Sequence, residues 1–114
     1  MAAPKNEAFL RPEVQLSAYC KALAHPARIA ILKLLAEHGT CTCGAIVEEL
    51  PLAQATVSQH LRALRAAGLI RVRAEGPRSC YTLDPEGLQA FQRAARFLFV
   101  QIEPSPRIPG ENRL

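Results

Sequence analysis

The stretch PLAQATVSQHLRALRAAGLI, residues 51–70, is the part of the sequence that most strongly indicates the fold. Apolar side chains recur in it at spacings of three and four residues, which predicts a helix over about residues 54–67. Three of them fall within a narrow arc and are expected to be buried: Val57, Leu61 and Leu64. Gly68 ends the helix, because glycine readily adopts the left-handed conformation that follows many helices.

A shorter helix precedes this one. It covers about residues 43–50 and stops at Pro51, so only about three residues connect the two helices. Two neighbouring helices joined by so short a turn, of which the second is basic, predict a helix-turn-helix.

A β-hairpin is predicted downstream. Residues 69–74 alternate apolar and charged side chains from Ile70 on, which is typical of a strand. Residues 75–78 form a turn and residues 79–83 a second strand, so the helix-turn-helix is followed by a two-stranded wing.

Further helices flank this centre. Helical periodicity predicts one helix over residues 13–24, a second over residues 26–38, and a last one that Asp84 caps and that ends near residue 102. The predicted apolar face of the second comprises Ile29, Leu32, Leu35 and Ala36. The sequence therefore predicts a mostly α fold with a small hairpin, in the order four helices, two strands and one helix: a winged helix-turn-helix.

The first and last helices carry more apolar surface than one small core needs. Their stripes comprise Leu16, Tyr19 and Leu23 in the first helix, and Phe91, Leu98 and Ile102 in the last. We expect a homodimer formed through these two helices. The alternative is that both stripes only complete the core of a monomer.

Length and charge fit one small domain with an anionic partner. The chain has 114 residues and a formal net charge of +4, and five arginines lie within residues 62–78. We expect residues 13–103 to form the domain, residues 1–12 a flexible arm, and residues 104–114 a disordered tail.

Other features of the composition predict a cytoplasmic protein with no membrane partner. No apolar run approaches the roughly 20 residues that a membrane-spanning helix needs. The stretch MAAPKNEAFLRPEVQ lacks the apolar centre of a secretory signal. Because cytosolic thiols stay reduced, the four cysteines are expected to be metal ligands or redox sensors rather than disulfide partners.

The helix over residues 54–67 has an outward face suited to double-stranded DNA, although an ordinary solvated face is the alternative. Amides such as Gln54 and Gln59 can approach base edges in the major groove, and arginines can reach phosphates. His60 lies to the side, where it either contacts the DNA backbone or packs the turn. The hairpin adds arginines on one face of its first strand and at its tip. The predicted DNA-binding residues are Gln54, Ala55, Thr56, Ser58, Gln59, His60, Arg62, Arg65, Arg71, Arg73 and Arg78.

Three motifs resemble the ArsR/SmtB family of metal- and metalloid-responsive repressors. They are ALAHPARIAIL at residues 22–32, AQATVSQHL at residues 53–61 and LRAAGLI at residues 64–70. The resemblance implies a homodimeric winged-helix repressor that binds an operator palindrome and leaves it when an inducer binds. Ala53 departs from the family, which often has serine before this helix, so a capping side chain worth about 1 kcal/mol is missing.

Two cysteines lie where the shorter helix starts, in the motif Cys41-Thr42-Cys43. Soft thiolates suit As(III), Cd(II), Pb(II), Zn(II) or Cu(I), and the motif resembles the Cys-x-Cys of family members that sense such ions. The resemblance also implies a third sulfur for As(III), at the position that Ile46 occupies here. The third ligand then comes from elsewhere: Cys80, Cys20, His38 or the partner subunit.

The cysteines also allow uses other than binding an inducer ion. A thiol redox or persulfide switch on the same fold is the alternative. A structural zinc module or a thiol enzyme is disfavoured, because the cysteines are scattered and the sequence has neither a Cys-x-x-Cys motif nor a glycine-rich phosphate loop. The family's other metal site, on the last helix, would begin at Asp84, but Phe97 and Val100 stand where its later ligands are expected.

Overall fold

A computed structural model describes residues 9–104 and 110. The described part of the chain forms five helices and a three-stranded antiparallel sheet, which confirms the winged helix-turn-helix. Its elements in chain order are α1 (Arg11–Ala22), α2 (Pro26–His38), β1 (Cys41–Thr42), α3 (Cys43–Glu49), α4 (Gln54–Ala66), β2 (Ile70–Glu75), β3 (Arg78–Leu83) and α5 (Pro85–Gln101).

Local capping explains most of these boundaries. Thr42 and Asp84 accept backbone N–H groups through their side chains at the starts of α3 and α5. Gly39 follows α2 with a φ of 80°, a conformation that favours glycine. The first helix begins at Arg11, two residues before the predicted start, so the predicted arm is two residues too long. Most of that arm and of the predicted tail lies outside the described residues.

The sheet contains one strand more than the predicted hairpin. β2 and β3 pair as expected, and β1 adds to the other edge of β3, with Cys41 opposite Tyr81 and Thr42 opposite Cys80. A strand of two residues is too short to show the alternation by which strands are predicted. The first cysteine therefore belongs to the wing sheet and the second to the helix-turn-helix.

The core lies between α2, α3, α4 and the start of the wing. The predicted burial of Val57, Leu61 and Leu64 is confirmed, since each is at most 1% exposed. On α2 the predicted face is wrong in part, because Ile31 and Leu35 are buried whereas Ile29 is 44% exposed. Apolar residues surround most of this helix, so their spacing does not reveal which side is covered.

A close backbone contact fixes α5 against the end of α4. A Cβ atom at Gly87 would lie 1.7 Å from the carbonyl oxygen of Gly68, so only glycine fits at this position. Farther along α5, the rings of Tyr19 and Phe91 stack with their centroids 5.0 Å apart and join α1 to α5. None of the helices in residues 9–104 is both long and apolar enough to cross a membrane.

Candidate nucleic-acid interface and thiol cavities

Helix α4 presents its predicted outward face to solvent. Gln54, Ala55 and Gln59 are exposed near its start, and Arg62 and Arg65 are exposed farther along. Thr56 and Ser58 are half-buried beside this face. Short and amide side chains therefore come before the guanidinium groups along one accessible surface.

His60 does not belong to that surface, and its prediction as a DNA contact is wrong. It is only 7% exposed, and its Nδ1 accepts a hydrogen bond from Nε of Arg28 at 3.1 Å. The reason can be read from its spacing: His60 follows Val57 by three residues and precedes Leu64 by four, which places it on the buried face of the helix. The sequence gives no comparable sign that Arg28 is its partner.

The wing arginines divide into paired and unpaired side chains. Arg71 forms a salt bridge with Asp84, with 3.1 Å between Nη2 and Oδ1, and Arg73 pairs with Glu75. The backbone N–H of Gly87 and the guanidinium of Arg71 hold the pKa of Asp84 below its usual value. Both arginines remain exposed, but a phosphate would have to compete with these carboxylates.

Of the five arginines predicted to contact DNA, three have no carboxylate partner within the described residues: Arg62, Arg65 and Arg78. Arg78 and Ser79 of the wing line one cavity of about 570 Å³ together with Gln54 and Ser58 of α4. Helix α4 is the second helix of the helix-turn-helix and is called the recognition helix below. Its start and the tip of the wing are thus neighbours, as a common DNA footprint requires.

The two cysteines of the Cys-x-Cys motif line different cavities. Cys43 borders the cavity between α4 and the wing, and its Sγ lies 3.6 Å from Oγ of Ser58. Cys41 borders a separate cavity of about 380 Å³ that His38 and Glu49 also line. Burial, aided by the negative charge of Glu49, raises the pKa of the Cys41 thiol.

The other two cysteines lie elsewhere. Cys20 is exposed on α1, beside Tyr19 of the predicted apolar stripe. Cys80 is buried on the wing and donates from Sγ to Oε2 of Glu75 at 3.3 Å. This hydrogen bond, with burial, raises the pKa of the Cys80 thiol. In the strand register Cys80 is opposite Thr42 and not Cys41, so the two buried thiols point to opposite faces of the sheet.

The described residues bring no metal site together. Neither residues 9–104 nor residue 110 contain a group of three His, Cys, Asp or Glu side chains close enough to hold one ion. Among the four cysteines, Cys41 and Cys43 are the pair closest together in sequence. Cys41 begins β1 and Cys43 begins α3.

Known proteins share both the sequence and the fold. A helix-turn-helix domain family matches residues 23–73. The HTH-type transcriptional regulator Rv2034 of Mycobacterium tuberculosis is 43% identical over 72 residues, which cover 63% of this chain and 66% of that protein. The arsenical resistance operon repressor of Staphylococcus xylosus is 34% identical over 74 residues, which cover 65% of this chain and 70% of that protein.

A solved structure of a similar protein has the same fold. The crystal structure of the ArsR family transcriptional regulator RHA00566 superposes with a TM-score of 0.71 at 25% identity, and the match covers 85% of this chain and 98% of that one. Helix α4 is the second helix of the helix-turn-helix, the helix that proteins with this motif place in the major groove. The chain therefore belongs to the ArsR family of helix-turn-helix transcriptional regulators, which bind DNA and are not enzymes.

Proposed function

We propose that this protein is a homodimeric repressor that leaves its operator when a thiophilic metal or metalloid ion binds Cys41 and Cys43. One observation carries the proposal: the motif joins the two elements that would contact DNA. Cys41 lies in β1, which pairs with the wing strand β3, and Cys43 contacts Ser58 on α4. A change at these thiols would move the wing and the recognition helix together.

Operator binding is assigned to α4 and the wing. Gln54 and Gln59 have amides that can pair with adenine in the major groove. The unpaired guanidinium groups of Arg62, Arg65 and Arg78 supply phosphate contacts. Arg71 and Arg73 are secondary contacts, because each already has a carboxylate partner.

The dimer is assigned to α1 and α5. No residue of α5 is buried in the single chain, and its last two turns expose Phe97, Phe99 and Val100 by 54%, 67% and 66%. Apolar side chains at this density favour a protein partner. A second copy fits, because two recognition helices one DNA turn apart match an operator palindrome.

The switch follows from the separation of the two thiols. They line different cavities, so one ion could hold both only if the chain between them rearranged. Drawing Cys41 toward Cys43 would break the pairing of β1 with β3 and unwind the first turn of α3. To drive release, the ion must bind this rearranged form more tightly by a few kcal/mol.

The test is operator release, measured for the reduced protein against arsenite and cadmium. Cys41→Ser and Cys43→Ser should retain most operator affinity but lose the response, since a hydroxyl is a poor ligand for a soft ion. Cys80→Ser and Cys20→Ser show which thiol, if either, completes the site, and we expect Cys80 before Cys20. If Cys41→Ser and Cys43→Ser both respond like the wild type, the motif is not the sensor.

A redox or persulfide switch is the second candidate. It is favoured by the absence of a three-ligand group in the described residues, because oxidation requires only one accessible thiol. Cys43 is the partly exposed member of the motif and borders the cavity between α4 and the wing. Release by a persulfide donor or by hydrogen peroxide, but not by arsenite or cadmium, would establish this candidate in place of the first.

A further inference from the structure

A cluster of two histidines and one arginine lies on the core side of the recognition helix. Arg28 of α2 donates from Nε to Nδ1 of His60 on α4. The same guanidinium donates from Nη1 to the carbonyl oxygens of Lys21 and Ala22, each at 3.3 Å, at the end of α1. One side chain therefore connects α1, α2 and α4.

His60 can accept this hydrogen bond only when its ring is neutral. Because Nε of Arg28 is a donor, Nδ1 of His60 must accept, and the ring proton then lies on Nε2. That Nε2 atom is buried and has no partner within the described part of the chain. A second proton would place two N–H groups against each other and a buried positive charge beside a guanidinium.

The other titratable group that faces His60 is His25, which precedes α2. The two rings are tilted by 45°, with their centroids 4.5 Å apart, and Nδ1 of His25 accepts from the backbone N–H of Ala27 at 3.0 Å. Within the described residues, α3 and the wing place no charged group that acts on this ring. Burial first, and then the charges of His25 and Arg28, lower the pKa of His60 below its ordinary value of 6.5.

We propose that Arg28 and His60 are positioning residues and that the hydrogen bond between them, called the clamp below, holds α4 in its DNA-binding orientation. Protonation of His60 breaks the clamp and weakens DNA binding. The clamp ties α4 to the end of α1, which stacks on α5 through Tyr19 and Phe91. It therefore joins the outer helices to the helix that contacts DNA.

The predicted direction of the pH effect is distinctive. Protonating a histidine normally strengthens DNA binding, because it adds positive charge near phosphates. Here the affinity should fall on acidification. The free energy of unfolding should change in the same direction as the DNA affinity. Because the pKa of His60 is lower in the folded protein than in the unfolded chain, its contribution to stability is complete above 6.5, the pKa in the unfolded chain. That contribution is lost as the pH falls through the pKa in the folded protein.

The experiment measures the affinity of metal-free, reduced protein for a duplex that the wild type has selected from a random library. The pH runs from about 7.5 down to 5.5, a range that spans the ordinary histidine pKa, and far-UV circular dichroism confirms the fold at each point. Each His60 that titrates should lower wild-type affinity by up to about tenfold per pH unit below its pKa. The chain allows a matched series, because it has three histidines.

His60→Asn retains an acceptor near the position of Nδ1 but cannot titrate, so its affinity should stay flat over this range. His38→Asn, an exposed residue of α2 outside the clamp, should keep the wild-type pH dependence. His25→Asn keeps a good capping side chain and should reduce the pH dependence only slightly. A wild-type affinity that is flat or rises on acidification overturns the proposal, and so does an equal fall in His60→Asn.

A second measurement does not require DNA, and it separates failure of the clamp from failure of operator binding. Nuclear magnetic resonance titration should give wild-type His60 a pKa below 6.5. In Arg28→Met, which lacks the donor and the charge, that pKa should move up toward the ordinary value. An ordinary pKa in the wild type, or no change in Arg28→Met, shows that Arg28 does not hold His60 neutral.

Discussion

Helices α4 and α5 each present a long face to solvent, but the two faces differ in kind. In α4 the large apolar side chains Val57, Leu61 and Leu64 are fully covered, and the exposed side chains are mostly amides and arginines, with two alanines among them. In α5 no residue is buried, and its last turns expose phenylalanine, leucine and valine side chains. The comparison shows that the large apolar side chains of α4 are covered within one chain and that its exposed face is mainly polar, whereas α5 keeps an exposed apolar surface. These two surfaces are the ones to which DNA binding and dimer formation are assigned in the proposal.

The largest expected effect tests the buried side of α4. Leu61→Ala should lower the free energy of unfolding by about 3 kcal/mol, because a fully buried leucine leaves a cavity. Urea denaturation at dilute protein concentration measures this loss. Leu98→Ala on α5 is the matched control, since Leu98 is 36% exposed, and its loss should be well below that of Leu61→Ala. Equal losses would mean that α5 is as much part of the core as α4.

The next effect tests the apolar surface of α5. Phe97→Ser should weaken self-association by more than about tenfold, since exposed aromatic side chains often dominate an interface. Phe97 borders a cavity between α1 and α5 that Pro12 and Gln15 also line. Sedimentation equilibrium measures the association, with Gln92→Ser as a control at an exposed polar position of α5. If Phe97→Ser associates like the wild type, a partner other than a second copy covers this surface.

A smaller effect tests the polar surface of α4. Arg62→Ala should weaken DNA binding by about fivefold and reduce the salt slope by about one, because a lost phosphate contact removes charge without removing sequence information. Titration of operator and random duplexes across a salt series measures both quantities. Arg71→Ala should lose less, since Arg71 is already paired with Asp84. A larger loss for Arg71→Ala would assign the main phosphate contact to the wing.

The smallest effect concerns the uncapped start of α4. Ala53 precedes the helix in an extended conformation and makes no side-chain cap. Ala53→Ser should raise the free energy of unfolding by about 0.5–1 kcal/mol, because serine can accept a backbone N–H of the first turn. Thermal unfolding measures the gain, and Ala66→Ser at the other end of α4 should produce none. A gain from Ala66→Ser alone would exclude capping as the cause.

Several parts of the site could be predicted because they depend on nearby residues. The start of α5 at Asp84 and the buried arc of α4 follow from capping and helical spacing. The exposed arginines follow from the same spacing, since burial of one face of α4 exposes the other. The buried position of His60 follows from the same helical spacing, although two roles were left open for its imidazole: contact with the DNA backbone or packing of the turn.

The remaining features depend on contacts between residues far apart in the chain. By itself the sequence determined the helices and hairpin strands, the helix-turn-helix and the polar outer face of α4, because helical and strand periods are local properties of the backbone. Only the tertiary structure decided that Cys41 joins the wing sheet while Cys43 contacts α4, and that Arg28 reaches His60. The spacing of residues along a helix or strand fixes the face on which a side chain lies, but the partner on that face is set by how the elements pack together.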